Sequence, residues 1–281
     1  MKMRRLYLAG LFAFSCVYAG DPVVSSSPQN SASATPDLAA ATPPTPTPTP
    51  TLDEPLLIAI SEGNLSEVRK LLDAGANPNA TIPHPATDYW KKKYPDGRME
   101  FYATEESGFT ALMLACAEEK DDFANLLLDR GADPNLKTKK DKAFALQMAA
   151  RHKDIPIMKR MMGITPDSEA GKSWIRVDLQ NQTASLWKDK KLILVAPISS
   201  GLKNKPTPTG EYIITDKERD WKSTIFKVPM PYFLRFSCGD FGMHQGHVPG
   251  HPASHGCIRL SESDAKKFFQ QTPVGTAVSV Q

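Results

Sequence analysis

Cysteine is scarce in this 281-residue chain: four residues, too few and too scattered for a dense disulfide framework and not at zinc-ribbon spacing. Charge of one sign is also lacking. The 34 basic and 31 acidic side chains leave a net +3, with no basic arm, which excludes a general nucleic-acid binder. No apolar run is long enough to span a bilayer as a mature helix; the one at residues 6–17 falls short of the roughly 20 residues a span requires. Proline, by contrast, is plentiful at 24 residues, so part of the chain should be linker. The length suggests about two domains.

Lys2, Arg4 and Arg5 ahead of the apolar run read as a secretory signal over residues 1–19. Two processing routes stand side by side. Val17-Tyr18-Ala19 before Gly20 suits a signal peptidase, and Ala13-Phe14-Ser15-Cys16 is a loose lipobox with a bulky Phe upstream of the cysteine. The expectation is export to the periplasm or cell envelope, with membrane attachment only if Cys16 is lipidated. Residues 20–54 are Ser, Ala, Thr and Pro, ending in Pro44-Thr45-Pro46-Thr47-Pro48-Thr49-Pro50. Few large apolar side chains are available there to offset backbone entropy. Such a tract favours extended polyproline II, at ~3.1 Å per residue, and serves as a spacer.

Residues 55–165 carry a repeat. Leu56-Leu57-Ile58-Ala59-Ile60 leads to Leu71-Leu72-Asp73-Ala74-Gly75-Ala76-Asn77-Pro78-Asn79, and the pattern returns from Gly108-Phe109-Thr110-Ala111-Leu112 to Asp129-Arg130-Gly131-Ala132-Asp133-Pro134-Asn135. A degenerate third copy runs from Ala145 to Gly163. Each reads as two short amphipathic helices, the second stopped by a glycine able to take positive φ. The pattern resembles ankyrin repeats, which bind protein partners and have no chemistry of their own. Gly75 and Gly131 lie too far apart for one period of about 33 residues, which requires an insertion at residues 81–106. It holds Tyr89, Trp90, Tyr94, Phe101 and Tyr102 among Lys91, Lys92 and Lys93. These aromatics are expected to fold back over the ends of a short array, although the composition also suits a glycan or anionic polymer. Cys116 reads as a small core residue on a repeat helix.

After Gly163 the period shortens to two. Residues 174–179, 184–187, 192–195, 211–215 and 277–280 read as strands, and residues 264–270 as the one clear helix, capped by Ser261. The second half is mainly β. Its dense signal is the stretch 243–260, with four of the six histidines and a cysteine among Gly and Pro. A thiol attacks only as thiolate, and a nearby imidazole both lowers its pKa and carries its proton. Gly256 lets backbone approach a reacting carbonyl, where N–H groups hold the oxyanion. Spacing alone does not choose the base: His255 would share a side with Cys257 on a strand.

Ser254-His255-Gly256-Cys257-Ile258-Arg259, with His244 upstream, resembles the signature of the L,D-transpeptidase catalytic domain, the YkuD family. Pro206-Thr207-Pro208-Thr209-Gly210, Met230-Pro231-Tyr232-Phe233 and Gly275-Thr276-Ala277-Val278 resemble further family stretches, so the likeness covers nearly all of residues 172–281. It implies a β-sandwich-like domain behind an all-α ankyrin module, and acyl transfer on peptidoglycan stem peptides. Cys257 would attack the meso-diaminopimelate carbonyl of a tetrapeptide stem and expel D-alanine, and an amine would then take the acyl group. Water in its place would make the protein an L,D-carboxypeptidase.

By the same resemblance, His244 is general base and then acid, its ring oriented by a backbone carbonyl, so that the Gln245 side chain matters little. Ser254, His255 and Gly256 shape the oxyanion pocket, Arg259 faces a substrate carboxylate, and Tyr232 lines the donor cleft. The short spacing from His244 to Cys257 implies a small lid between them. His247 and His251 read as exposed loop histidines, and Cys238 as a buried inert thiol, whose oxidation onto Cys257 would silence the site. No cofactor is called for. A zinc site built from the histidines and cysteines is disfavoured, because Pro249 and Pro252 break helical pairing and only Asp240 is at hand as a supporting carboxylate. The remaining alternative is a binding scaffold carrying an inactive enzyme domain.

Overall fold

The computed structural model describes residues 52–281. The expected signal at 1–19, Cys16 and nearly all of the linker at 20–54 lie outside the described residues. The linker expectation ran slightly long, because Asp53 and Glu54 already form the first turn of a helix, where acidic side chains suit the N-terminal end of its dipole.

Three helix pairs make the repeats: α1 (Asp53–Ser61) with α2 (Leu65–Asp73), α5 (Ala111–Ala117) with α6 (Asp121–Asp129), and α7 (Ala145–Arg151) with α8 (Ile155–Met161). Asn64, Thr110 and Asp154 cap α2, α5 and α8 by accepting from the backbone N–H of the residue three positions on. Gly75, Gly131 and Gly163 follow the second helices at φ +96°, +87° and +67°. The copies are cross-tied by the Arg130–Asp73 ion pair at 2.7 Å and by Arg160 with Asp129.

The insertion folds as α3 (Asp88–Lys93), α4 (Gly97–Glu100) and a π-helical turn (Phe101–Glu105). Trp90 and Tyr102 are buried in the array core, and Tyr102 stacks on Phe109 with centroids 4.9 Å apart. The aromatics therefore complete the core, while Lys91, Lys92 and Lys93 stay exposed. The buried Glu106 carboxylate accepts from the N–H groups of Ser107, Lys140 and Asp141, tying the end of the insertion to the loop before α7.

The second half is an eight-stranded sheet ordered β3-β2-β1-β8-β4-β5-β6-β7. Its strands are β1 (Ser173–Asp178), β2 (Thr183–Lys188), β3 (Lys191–Pro197), β4 (Gly210–Lys222), β5 (Pro229–Phe236), β6 (Gly242–Gln245), β7 (Ile258–Leu260) and β8 (Ala277–Val280). β1/β8 and β6/β7 pair parallel and the rest antiparallel. The long β4 joins the two parts. Residues 210–213 pair with β8, and the segment from Ile214 onward pairs with β5, with a register shift between Ile214 and Asp216.

Side chains from both parts, among them Ile175, Leu186, Leu234, Met243 and Ile258, enclose one core with Ala265 and Phe268 of α9 (Glu262–Gln271). The sandwich-like core is thus made by a single sheet meeting itself across β4. The second half also closes the repeat array: Ile213 and Cys238 belong to the array's core, and Lys153 lies over the Tyr212 ring at 5.5 Å.

Candidate active site

β6 and β7 run parallel with Met243 opposite Ile258 and His244 opposite Arg259. Side chains alternate along a strand, and Met243, Ile258 and Leu260 point into the core. His244 and Arg259 therefore share the other face, and Cys257, immediately before β7, has the parity of Arg259. β5 continues this face with Phe233 and Arg235, since Leu234 pairs with Met243 and Arg235 with Gly242. The Phe233 and His244 ring centroids are 6.4 Å apart.

The segment before Cys257 is clamped from two sides. Ser254, almost fully buried, donates from Oγ to the Cys257 carbonyl and accepts the Gly256 N–H at 3.1 Å. Gly256 has φ +118°, a conformation that favours glycine. Its carbonyl accepts from Thr207 Oγ1 at 2.9 Å, and that oxygen accepts the Gly201 N–H at 2.9 Å. Thr207 thus links the Pro206–Gly210 stretch to the cysteine loop. The Cys257 N–H has no hydrogen-bond acceptor among the described residues, which leaves it free for a ligand oxygen.

His244 Nδ1 lies 2.6 Å from the Gln245 carbonyl. A carbonyl only accepts, so Nδ1 carries the proton and the neutral ring keeps its lone pair on Nε2. Burial, with a smaller contribution from the Arg259 charge, pushes the imidazole down to about 4, against the stabilising carbonyl. Burial pushes the Cys257 thiol up, while the Gly242 N–H, Arg259 and Arg235 pull it back. The resting pair is neutral imidazole and thiol. Arg259 has no ion pair or side-chain hydrogen bond among the described residues, and its methylenes pack beside Gly246, where a Cβ would sit 3.0 Å from its Cγ and Cδ.

Not every expected residue joins this face. Tyr232, at φ +57°, packs its ring 5.7 Å from Phe269 of α9. It is partly buried against the core, while Phe233, stacked on Trp221 at 6.1 Å, is an aromatic of the face shared with His244. His255 is exposed, with its ring 5.0 Å from Phe226 at the tip of the β4–β5 hairpin. His247 and His251 are exposed as well. Cys238 packs against the repeats, and Cys116, Cys238 and Cys257 are all free thiols. Arg235, Gly242 and the clamping role of Thr207 went unread in sequence. A lone arginine inside the apolar run Phe233-Leu234-Arg235-Phe236 was the available signal.

Residues 172–280 match the YkuD family, L,D-transpeptidase catalytic domain, and residues 49–170 match ankyrin repeats in three copies. "Putative L,D-transpeptidase YciB" of Bacillus subtilis is 29% identical over 42% of this chain and 70% of its own length. "Putative L,D-transpeptidase YkuD" of Bacillus licheniformis is 30% identical over 38% of this chain and 64% of its own. A solved L,D-transpeptidase from Mycobacterium smegmatis is 24% identical, with a TM-score of 0.37, over 39% of this chain and 58% of that one. The chain thus spans less than two thirds of the length of the latter two. It carries an L,D-transpeptidase catalytic domain at residues 172–280 behind ankyrin repeats at residues 49–170.

Proposed function

We propose that the protein is an exported peptidoglycan L,D-transpeptidase with Cys257 as nucleophile and His244 as general base and then acid. The observation that carries this reading is the His244–Gln245 hydrogen bond, which leaves Nε2 unprotonated on the sheet face that also bears Cys257. In the first step the thiol proton passes to Nε2 and Sγ bonds to the meso-diaminopimelate carbonyl of a tetrapeptide stem. The C–N bond to D-alanine then breaks as His244 returns the proton to the leaving amine. An acceptor amine, from a second stem or a wall-attached protein, gives up a proton to His244 and takes the acyl group, which frees the thiol.

The N–H of Cys257 and the backbone at Gly256 are assigned to the oxyanion, with Ser254 holding that loop in shape and His255 at its solvent rim. Arg259, with its free guanidinium, is assigned to a stem carboxylate. Export to the periplasm or cell envelope follows from the basic and apolar segment at residues 1–19 and from the location of such a substrate. The ankyrin array is assigned to positioning the enzyme or recruiting a protein partner.

Intact mass spectrometry of the protein with a tetrapeptide-stem muropeptide, beside Cys257→Ala, tests the chemistry. The expected result is an adduct of substrate less D-alanine, in the parent protein only. A crosslinked product marks the transferase and a free tripeptide the carboxypeptidase. Absence of both, with Cys257 reduced, overturns the reading in favour of an inactive binding scaffold.

A further inference from the structure

Two rows of side chains cross the Cys257 face of the sheet. In one, Phe233, His244 and Arg259 lie side by side on β5, β6 and β7; in the other the order is Arg235, Gly242 and Cys257. The middle position of the second row has no side chain and tolerates none, because a Cβ on Gly242 would lie 1.9 Å from the Leu234 carbonyl oxygen. Arg235 and Cys257 therefore face each other across a bare strand. Their backbones are two interstrand spacings apart, about 10 Å, with no side chain on the strand between them.

Arg235 is also built in rather than merely nearby. It is 7% exposed. Its Nε donates to both Asp216 oxygens at 3.1 and 3.0 Å, and Nη1 donates to the Gly239 carbonyl at 3.1 Å. The guanidinium carbon lies 4.7 Å from the Trp221 ring centroid and 4.9 Å from that of Phe233. A buried, stacked and anchored cation is costly to desolvate, and a strand needs none for its pairing.

We propose that Arg235 is a positioning residue for the reaction, a fixed cation that holds negative charge on the Cys257 sulfur across the gap left by Gly242. The inference rests on the reading of Cys257 as nucleophile. It gives a role to a buried ion pair on the face that bears the cysteine. Arg235 has company around the thiol. His244 on β6 is neutral, Arg259 on β7 adds a second cation, and His255 lies on the loop itself. Asp216 on β4 offsets part of the Arg235 charge, and Asp240, in the turn before β6, opposes thiolate formation. The Gly239 carbonyl that anchors Arg235 belongs to the turn where Ser237 and Cys238 line, with Gln147, Ala150 and Arg151 of α7, a cavity of about 170 Å³. The last repeat thus ends against the turn that holds the cation.

The test is the pH dependence of Cys257 alkylation by iodoacetamide in the full chain, with Cys257→Ala as background, alongside muropeptide turnover. Arg235→Met is expected to move the alkylation midpoint to higher pH and to slow labelling at neutral pH about tenfold, the effect of one pKa unit. Its kcat should fall with KM within about twofold, and Arg235→Lys should recover part of both losses. A folded Arg235→Met with the parent alkylation profile overturns the proposal and leaves Arg235 a strut. Should that variant not fold, Asp216→Asn, which removes the carboxylate offsetting Arg235, is expected to move the midpoint to lower pH; an unchanged or raised midpoint in a folded Asp216→Asn overturns the proposal. Turnover surviving in Cys257→Ala would instead sink the nucleophile reading, whatever the Arg235 variants do.

Discussion

The hydroxyl of Thr207 donates to the carbonyl of Gly256 across 2.9 Å, tying the residue before Cys257 to a loop 49 positions earlier in the chain. The same oxygen accepts the Gly201 N–H, so one buried atom satisfies a donor and an acceptor on two different loops. Thr207→Val keeps the shape and removes both bonds. The expected cost is about 1–3 kcal/mol for each group left buried and unpaired, together with slower acyl-enzyme formation. Thermal melts and mass-spectrometric acylation rates check this, and Thr207→Ser should restore most of both.

His244 is oriented through the main chain of its neighbour, which separates the two residues in mutagenesis. His244→Ala should cost roughly 10²–10⁴ in acylation, the usual worth of a general base. Gln245→Ala should stay within about twofold, because the carbonyl that holds the ring survives the substitution. His247→Ala, on an exposed loop, should also be near neutral. Comparable losses at His244 and His247 would overturn the assignment of the base.

Burial holds His244 at about 4, below its ordinary 6.5. Between those values the unfolded chain binds a proton that the folded protein does not. Stability should therefore rise with pH across this window and fall as pH drops from about 6.5 to about 4, with the loss complete below that. Two and a half units correspond to about 3 kcal/mol. Urea midpoints of the parent and of His244→Gln through this range measure it, and the variant should show a flatter acid limb. The acid limb of turnover should likewise lie near pH 4 rather than near 6.5.

Trp90 is fully buried although it belongs to an insertion, whereas Lys91 and Lys92 beside it are exposed. Trp90→Ala should destabilise the repeats by about 3–5 kcal/mol, as for other buried aromatics. Lys91→Ala with Lys92→Ala should stay within about 0.5 kcal/mol. Denaturant unfolding separates the two outcomes. A large effect of the lysine pair on peptidoglycan or polyanion binding would instead revive the binding role for this segment.

Much of the architecture was legible because it is local. The glycine stops at 75, 131 and 163, the cap at Ser261 and the alternation in Trp174-Ile175-Arg176-Val177 each follow from a few neighbouring residues. The helix expected at 264–270 spans Glu262–Gln271, and the last strand occupies the expected residues. β6 and β7 were not legible. With four and three residues they are too short to show a period, and their pairing joins positions far apart in the chain.

The sequence by itself determined the order of modules, the periodicity of each and the chemical identity of the cysteine and histidine. Only the tertiary structure decided which of the clustered residues meet. It placed His244 and Cys257 on one face and set Tyr232 against α9. It also brought Arg235 across Gly242 and hung the cysteine loop on Thr207. The physical reason is that a side chain's face depends on strand register, which is set by hydrogen bonds and core packing between distant segments rather than by local preference.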